Sequence, residues 1–343
     1  MKKLLNTLYV TSEGAYLRKD GETIAVDIDG TTRARAPAHL LGQIVCFGQV
    51  AMSPALMGFA SEAGISIAFL SYGGKLLARV EGPQTGNILL RRAQHAATFD
   101  ARSALPVARA VVAAKIANQR AVLRRHMRDY PQAEEAGAVD ASQRRLADAA
   151  RLALLAPDLD SLRGQEGEAG HAYWSVFSHL IRNNEPVFAF GGRNRRPPRD
   201  AINAVLSFLY VLTALDARAA CESHGLDPQM GFLHQDRPGR MSLALDLMEE
   251  LRAPLADRIC LSLINRRQLA ASDFRHEETG AVLLNDKGRE TVLKAYQDRK
   301  RTELRHAWLD ERIALGLVPQ VQAQLLARHL RGDVDNYPAW IWS

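Results

Sequence analysis

The sequence predicts an α+β fold in which a small β-rich N-terminal domain precedes a larger all-helical C-terminal domain. The first 80 residues contain short β-branched or aromatic runs that are separated by turn signals. From Ile88 onward alanine, leucine and arginine dominate, and apolar residues recur at spacings of three and four, which is typical of helices. The pattern changes within EGPQTGN, residues 81–87, so we expect domains at residues 1–84 and 88–343.

Several stretches of the N-terminal domain have the composition of strands. In chain order they are LNTLYVT, AYLRKDGETIAVDID, IVCFGQVAM, ISIAFLSYGG and LLARVEG. The second stretch is broken by Asp20-Gly21, which is a strong hairpin signal. Between the third and the fourth, SPALMGFASEAG predicts a short helix, with Ser53 as its N-terminal cap and Gly64 as its end.

Long helices are expected throughout the C-terminal domain, which begins with ILLRRAQHAATF and LPVARAVVAAKIANQRAVLRRHM. Stretches rich in glycine, proline and polar residues interrupt the helical pattern. We therefore expect loops near residues 130–141, 183–200, 224–240 and 270–280.

The composition bounds the class of protein and its compartment. Hydrophobic residues make up 47% of the chain and charged residues 24%, which is ordinary for a packed soluble protein. We find no run of about 18 apolar residues and no signal-peptide pattern, so we expect no membrane partner. Cys46, Cys221 and Cys260 form no Cys-x-x-Cys pair. We expect buried thiols in a reducing compartment, with a cytoplasmic location.

A histidine and a group of carboxylates form the first candidate site. Asp246, Glu249 and Glu250 are spaced so that they share one face of a helix, and His234 lies in the polar loop before it. This spacing is also typical of a solvated helix face, and a lone histidine is often a capping or solvent-facing residue. The neighbouring leucines favour an enclosed helix, in which buried carboxylates need a partner or a metal ion. Mg²⁺ and Mn²⁺ prefer oxygen ligands and can also accept an imidazole.

Such a site needs a further carboxylate, and Glu166 in LRGQEGEAGHAYW is the best donor. It lies between Gly164 and Gly167 at the expected start of a helix, where glycines allow other groups to approach closely. From spacing alone, an acid that stabilises the helix start is the more frequent role for such a residue.

The second candidate site is an arginine cluster in GGRNRRPPRD, residues 191–200. The net charge of +6, from 44 basic and 38 acidic residues, is compatible with nucleic acid but does not prove binding. Guanidinium groups suit phosphate, although a solvated loop with structural ion pairs is an equal alternative. Asp200 can cap the helix that follows, on which Asn203 and Ser207 either orient neighbours or touch substrate. The four clustered arginines are Arg193, Arg195, Arg196 and Arg199.

The sequence leaves the roles of two further segments open. LRRHMRDY, residues 123–130, is a basic helical stretch, for which a solvated face is favoured over contact with DNA. The C-terminal NYPAWIWS either docks on the protein itself or binds a partner. The chain lacks the glycine-rich phosphate loops of nucleotide-binding proteins and the G-x-S-x-G motif of serine hydrolases.

Three motifs together resemble one known family. With GQEG at residues 164–167, RNRRPPRDAINAVLSFLY, and GFLHQDRPGRMSLALDLMEE in this order, the chain is similar to the first universal CRISPR-associated protein. That family is the endonuclease and integrase of spacer acquisition, and the sequence of the third motif is typical of compact type I systems. The likeness extends over almost the whole chain, including the β-rich start.

The resemblance implies a metal site, a reaction and partners. It implies that Glu166, His234 and Glu249 are catalytic and hold Mg²⁺ or Mn²⁺, and that Asp246 joins this shell or holds a metal-bound water. The implied reaction is phosphoryl transfer on double-stranded DNA, the spacer precursor and the CRISPR repeat, with the arginines of residues 193–199 gripping backbone phosphates. The implied partners are a second copy, joined through the β-rich domains, and the small ferredoxin-like second universal CRISPR-associated protein. Two alternatives remain at this point, a non-catalytic DNA-binding scaffold and a metal-dependent hydrolase of a small phosphoester.

Overall fold

The computed structural model of the protein describes residues 4–82, 88–132, 134–194 and 197–342. The chain divides into two units, Met1–Gly86 and Asn87–Ser343, and this division lies at the change in sequence pattern. The first unit is rich in strands and the second is mostly helical, so the predicted α+β class is confirmed.

The N-terminal unit contains eight strands, one α-helix and a short 3-10 helix, Ala38–Leu40, within residues 4–82. The strands are β1 (Asn6–Val10), β2 (Tyr16–Asp20), β3 (Thr23–Ile28), β4 (Thr31–Pro37), β5 (Leu41–Phe47), β6 (Ala51–Met52), β7 (Ser66–Leu70) and β8 (Leu76–Val80). The helix, α1, is Pro54–Glu62.

These strands form two four-stranded sheets around one core. The first sheet has the order β1-β5-β7-β8, with β1, β5 and β7 parallel and β8 antiparallel to β7. The second has the order β4-β3-β2-β6, and in its β2–β3 hairpin Leu17 pairs with Val26. Side chains that alternate to one face of each sheet, such as Ile24 and Ile44, are buried with Leu56 of α1.

The ends of α1 confirm the prediction from sequence. The Ser53 hydroxyl accepts a hydrogen bond from the backbone N–H of Leu56 at 3.2 Å, and Pro54 occupies the first turn. After the helix, Gly64 has a φ of +69°, a conformation that is strained for residues with a side chain.

The second unit is built mainly from long helices. They are α2 (Ile88–Phe99), α3 (Ala101–Asp129), α4 (Ala136–Leu155), α5 (Leu159–Ser175), α6 (Ala201–Ser223), α7 (Ser242–Leu251), α8 (Arg258–Asn265), α9 (Asp286–Lys300) and α10 (Val318–Leu330). A π-helical segment, Arg252–Asp257, joins α7 to α8. It contains Pro254, which has no backbone N–H for the regular helical ladder.

The expectation of an all-helical C-terminal domain is wrong in one respect. Two small antiparallel hairpins interrupt the helices, and the first lies partly in the segment 270–280 that we expected to be a loop. Their strands are β9 (Phe274–His276), β10 (Val282–Leu284), β11 (Glu303–His306) and β12 (Glu311–Ala314). These strands are three or four residues long and carry several charged side chains, which explains why hydrophobic alternation did not reveal them.

Helix α6 forms the centre of the helical unit and packs on α7 and α10. By length and composition it is the one described helix that could cross a membrane, but 78% of its most apolar window is buried inside the protein. It therefore has the environment of a core helix. Cys221 of this helix, like Cys46 and Cys260, is buried and unpaired, as predicted.

The C-terminal segment, which we define as residues 336–342, docks on this core. Trp340 is 2% exposed. Its backbone N–H donates to Oε2 of Glu250 at 2.6 Å, and its carbonyl accepts from Nδ2 of Asn118 at 3.1 Å. Of the two alternatives left open for this segment, the structure has the one in which it packs on the protein itself.

Candidate functional site

Helix α7 and the loop before it hold His234 through one buried carboxylate. Asp246 accepts hydrogen bonds from the backbone N–H groups of Phe232, Leu233 and His234 at 2.6, 3.0 and 3.1 Å. Its Oδ1 also lies 2.6 Å from Nδ1 of the His234 ring. Since both oxygens of Asp246 are engaged, the carboxylate fixes the loop and the ring at once.

This arrangement determines which ring nitrogen of His234 is engaged by Asp246. A carboxylate that already accepts three N–H groups is an acceptor, so Nδ1 carries the proton that it shares with Asp246. Nε2 then keeps its lone pair, which is the form of imidazole that ligates a metal ion. The loop can approach α7 this closely because residue 231 is glycine: a Cβ there would lie 2.8 Å from Ser242 and 2.9 Å from Oδ2 of Asp246.

Glu166 lies in the middle of α5, and the expectation that it begins a helix is wrong. The helix begins at Leu159, because Asp158 caps it by accepting from the backbone N–H of Ser161 at 2.7 Å. The helical pattern upstream of Glu166 was obscured by the glycines. The expected close approach at Gly164 and Gly167 is also absent, since a Cβ at either position would meet no described atom within 4 Å. The surface beside Glu166 is therefore open.

Lys115 of α3 joins the two glutamates. Its Nζ lies 2.5 Å from Oε1 of Glu166 and 2.9 Å from Oε2 of Glu249. Lys115 is 7% exposed and Glu249 is 3% exposed, so this cation and this carboxylate are almost fully withdrawn from water. Two acids that are 83 positions apart in the sequence thus share one ammonium group.

A second cation, Arg252, binds Glu249 from the other side. Its Nη1 donates to both carboxylate oxygens at 2.8 and 2.9 Å. Burial disfavours the ionised form of Glu249, but the charges of Arg252 and Lys115 outweigh it and hold the pKa of this carboxyl well below its usual range.

A direct contact connects the Glu166 helix to the His234 loop. Arg163, one turn before Glu166 on α5, donates from Nη2 to the carbonyl of Leu233 at 3.1 Å. The structure therefore brings Glu166, His234 and Glu249 to one region of the helical unit, from α5, the loop before α7, and α7 itself.

The donor set fits a divalent cation in its chemistry. Two carboxylates and an imidazole nitrogen are ligands that Mn²⁺ and Mg²⁺ accept. In the part of the chain that the structure describes, no three histidine, cysteine, aspartate or glutamate side chains converge closely enough to enclose an ion. The ammonium of Lys115 instead lies between Glu166 and Glu249 as their common cation.

The arginine loop divides into parts with different environments. Arg193 is turned inward, with Nη1 donating to Oδ1 of Asn203 at 2.6 Å and Nη2 to the hydroxyl of Ser207 at 3.2 Å. Asn203 and Ser207 thus orient a neighbour, which is one of the two roles considered for them. Arg199 is exposed. The predicted phosphate ligands Arg195 and Arg196 lie outside the described residues.

One aromatic ring links this loop to Glu249. The guanidinium of Arg193 lies 5.2 Å from the ring centre of Tyr210, and that of Arg252 lies 4.4 Å from it. Arg252 in turn holds Glu249, so the position of the loop and that of the carboxylate are connected through side chains in contact.

Lys115 and Arg252 are the site residues that the sequence analysis did not identify. Lys115 could have been found, because it is the one charged residue in VVAAKIAN and a lysine buried on an apolar helix needs an acidic partner. Arg252 was indicated less strongly, by its position three residues after Glu249, a spacing that allows an ion pair on one helix face.

Comparison with known proteins identifies the family. The family model described as CRISPR associated protein Cas1 matches residues 8–298. The chain belongs to the Cas1 family. A Cas1 relative from Rhodospirillum rubrum, named CRISPR-associated endonuclease Cas1 2, is 54% identical over 346 residues, which cover 100% of each chain. Another Cas1, from Chlorobaculum tepidum and named CRISPR-associated endonuclease Cas1 1, is 48% identical and also covers 100% of each chain.

Solved structures share this Cas1 fold. A Cas1 protein from Thermotoga maritima has a TM-score of 0.80 and 24% identity, over 95% of this chain and 97% of that one. A casposase bound to its integration product has a TM-score of 0.83 and 21% identity, over 99% and 95% of the two chains. A chain of a Cas6-RT-Cas1–Cas2 complex has a TM-score of 0.81 and 22% identity, over 100% of this chain and 36% of that chain.

Proposed function

We propose that the protein is a divalent-metal-dependent DNA endonuclease and integrase that inserts short foreign DNA segments into a CRISPR array. The endonuclease names of its full-length relatives support the class of reaction, and the fold shared with a casposase supports integration. The observation that carries the proposal is the meeting of Glu166 and Glu249 at Lys115, with the helix of Glu166 also in contact with the loop in which Asp246 holds Nδ1 of His234.

Glu166, Glu249 and Nε2 of His234 would hold the ion, Mg²⁺ or Mn²⁺. When bound, such an ion supplies a Lewis acid that polarises a phosphate oxygen and offsets negative charge in phosphoryl transfer. The chain's own residues prepare this site. Asp246 fixes the tautomer of His234, and Arg252 keeps Glu249 ionised. The open surface beside Gly164 and Gly167 gives a DNA backbone room to reach Glu166.

One site serves two outcomes, which differ only in the nucleophile. Attack by water hydrolyses a phosphodiester, and attack by a DNA 3′-hydroxyl joins that end to the target strand. In both cases the P–O bond to the leaving oxygen breaks as the new P–O bond forms. The same substitutions in the site should therefore affect cleavage and integration in parallel.

The proposed partners are double-stranded DNA, a second copy of the chain and the small second universal CRISPR-associated protein. A relative of the same fold occurs in a complex with Cas2, which supports the last of these. The second copy is expected to pair through the β-rich unit. Sedimentation of the purified protein at micromolar concentration tests this, because a mass of one chain would contradict it.

Cleavage of branched DNA with Mn²⁺ tests the proposed reaction. We expect E166Q and H234A to lose at least about 100-fold in rate, because even the outer-shell partners of metal ligands are worth 10–100-fold. E168Q is the matched control. Glu168 lies on the same helix, its side chain is 54% exposed, and it pairs with Arg145, so its loss should leave the rate near that of the wild type.

The outcomes separate the alternatives. Equal rates for wild type, E166Q and H234A would contradict the catalytic assignment and leave a DNA-binding scaffold. Rapid hydrolysis of a small phosphoester by the wild type, without cleavage of DNA, would instead favour a small-molecule phosphoesterase.

A further inference from the structure

The loop that carries His234 is held at its start by one side chain of α2. Gln94 donates from Nε2 to the backbone carbonyls of Asp227 and Met230, both at 2.8 Å. Its Oε1 accepts from the backbone N–H of Asp227, also at 2.8 Å. All three contacts are to the main chain, so Gln94 fixes the backbone path of residues 227–230 from a position more than 130 residues earlier in the sequence.

The burial of Gln94 makes these contacts strong constraints. The residue is 0% exposed, so water cannot replace a lost partner. A primary amide has two N–H donors, and both are used here. If Asp227 or Met230 moved away, a buried donor would be left unpaired, which is costly. The path of residues 227–230 is therefore tied to the position of α2.

The same residues also contact the start of α7. The carbonyl of Pro228 accepts from the backbone N–H groups of Leu243 and Ala244 at 3.0 and 3.3 Å. These N–H groups lie in the first turn of the helix, where the regular helical ladder offers no acceptor. Residues 227–230 are thus held between α2 and α7.

Only Gly231 separates these residues from the part of the loop that Asp246 holds. Gly231 is packed so closely on α7 that a Cβ there would lie 2.8 Å from Ser242. The backbone at this position has little space in which to absorb a shift of Met230. Such a shift therefore passes to the residues that follow, up to His234.

We propose that Gln94 is a positioning residue of the active site, which fixes the place of the His234 imidazole through the backbone of the loop. This inference rests on the proposed function, in which Nε2 of His234 is a metal ligand. Because Gln94 is buried and bound to the main chain, it acts without contact to DNA. A displacement of about 1 Å at a catalytic group can cost about 100-fold in rate, so such a residue matters to the reaction.

Nuclear magnetic resonance of the metal-free protein, labelled with ¹⁵N at histidine, tests the position of the ring. The ring signals of His234 are identified by their absence from H234A. We expect Q94M, which keeps the side-chain volume but removes all three hydrogen bonds, to shift or broaden these signals. Q143M is the matched control. Gln143 of α4 also uses both ends of its amide, with Arg120 and Asp140, so the same change there should leave the signals in place.

The affinity for Mn²⁺, measured by electron paramagnetic resonance of the free ion, tests whether Gln94 acts through His234. We expect Q94M to bind Mn²⁺ about tenfold more weakly than the wild type, as is usual when a partner of a metal ligand is lost. In the H234A background Q94M should cause no further loss, because the ligand that it positions is absent. Binding of a DNA duplex in EDTA should be the same for Q94M and the wild type.

The outcomes distinguish positioning from general support of the fold. Thermal melting verifies that each variant is folded at the temperature of measurement, and Q94E, which keeps the acceptor for Asp227, replaces Q94M if Q94M does not fold. Unchanged His234 signals in the folded variant would overturn the proposal. So would an equal loss of Mn²⁺ affinity by Q94M with and without His234. If the wild type binds no Mn²⁺, the proposed function fails, whereas the metal-free spectra still decide the role of Gln94.

Discussion

The charge around Glu249 shows how single residues shape the site. Lys115 and Arg252 both contact this carboxylate, and each comes from a different part of the chain. Of the predicted ligands, Arg252 contacts Glu249 and Lys115 contacts both Glu249 and Glu166. Lys115 is therefore the side chain that connects the two acids.

Replacing Lys115 with methionine tests whether its ammonium group and a metal ion compete for Glu166 and Glu249. Without metal, K115M should lose about 3–5 kcal/mol of stability, because a buried carboxylate loses one of its two cations. Saturating Mn²⁺ should then raise the melting temperature of K115M by more than that of the wild type, since no ammonium competes for the acids. Differential scanning calorimetry with EDTA and with Mn²⁺ measures both effects. An equal gain from Mn²⁺ in the two proteins would mean that Lys115 does not share the ion's position.

Individual site residues were predictable to different degrees. His234 and Glu249 were indicated by carboxylates on a leucine-rich helix directly after a histidine, since burial of such acids demands a partner. Glu166 was selected as the best further carboxylate from its position between glycines, but its role beside His234 rested on the resemblance, because no local pattern shows that α5 packs against the loop of His234. The role of Asp246 could be seen only in the structure. This residue lies one turn before Glu249, and its contacts to three backbone N–H groups depend on the path of the loop at Gly231.

At the scale of elements, the C-terminal segment fastens α7 from behind the site. Glu250, the residue after Glu249, accepts from the hydroxyl of Tyr337 at 2.5 Å, from the backbone N–H of Trp340 and from Gln322. Burial raises the pKa of Glu250 to about 8, and these three donors oppose that rise. The segment thus satisfies a buried acid that would otherwise destabilise the helix that carries Glu249.

Removing one of these donors should weaken the protein measurably. We expect Y337F to lower the free energy of unfolding by about 1.5–3 kcal/mol, the usual worth of a hydrogen bond to a charged or buried acid group. Y130F, at an exposed tyrosine, is the control and should change stability little. Chemical denaturation monitored by tryptophan fluorescence gives the comparison. Equal stability of the two variants would show that the segment does not hold α7.

Asp257 gives an element-scale prediction that depends on pH. It joins three elements, since it accepts from Tyr173 of α5 at 3.0 Å and from Tyr210 of α6 at 2.6 Å. Burial, partly offset by these bonds and by Arg252, raises the pKa of Asp257 to about 6. The native state then holds this proton up to a higher pH than the unfolded chain does, so its contribution to stability falls as pH rises through this range.

The variant D257N should remove this dependence. Relative to D257N, the wild type should lose about 2 kcal/mol of stability between about pH 4 and 6.5, and little more above about pH 7. Subtracting the unfolding free energies of the two proteins at each pH cancels the carboxylates that they share. A difference that stays constant from pH 4 to 7 would contradict the raised pKa of Asp257.

The ends of helices could be predicted from sequence where they depend on capping or turn residues close by in the chain. The cap at Ser53 and the end at Gly64 were visible because cap and turn chemistry resides in the residues themselves. The start of α5 was missed because three glycines weaken the helical pattern, whereas packing against α3 and α4 compensates for them in the structure. The two hairpins of the second unit were missed for a related reason, since their stability comes from tertiary packing and turns.

For the whole molecule, composition and periodicity predicted the α+β class, with strands before helices. The family resemblance rested on three motifs and is confirmed over residues 8–298. Interactions between segments distant in sequence, such as Lys115 with Glu249, could not be predicted, because periodicity indicates which face of a helix is buried but not which element covers it.

The proposed function requires one ion that Glu166, His234 and Glu249 share. Anomalous scattering from crystals soaked in Mn²⁺ tests this directly, because it locates manganese without reference to activity. We expect one strong peak in contact with a carboxylate oxygen of Glu166, a carboxylate oxygen of Glu249 and Nε2 of His234, with the ammonium of Lys115 displaced. A Mn²⁺ peak elsewhere in the molecule, or no peak beside these residues at saturating Mn²⁺, would contradict the central claim.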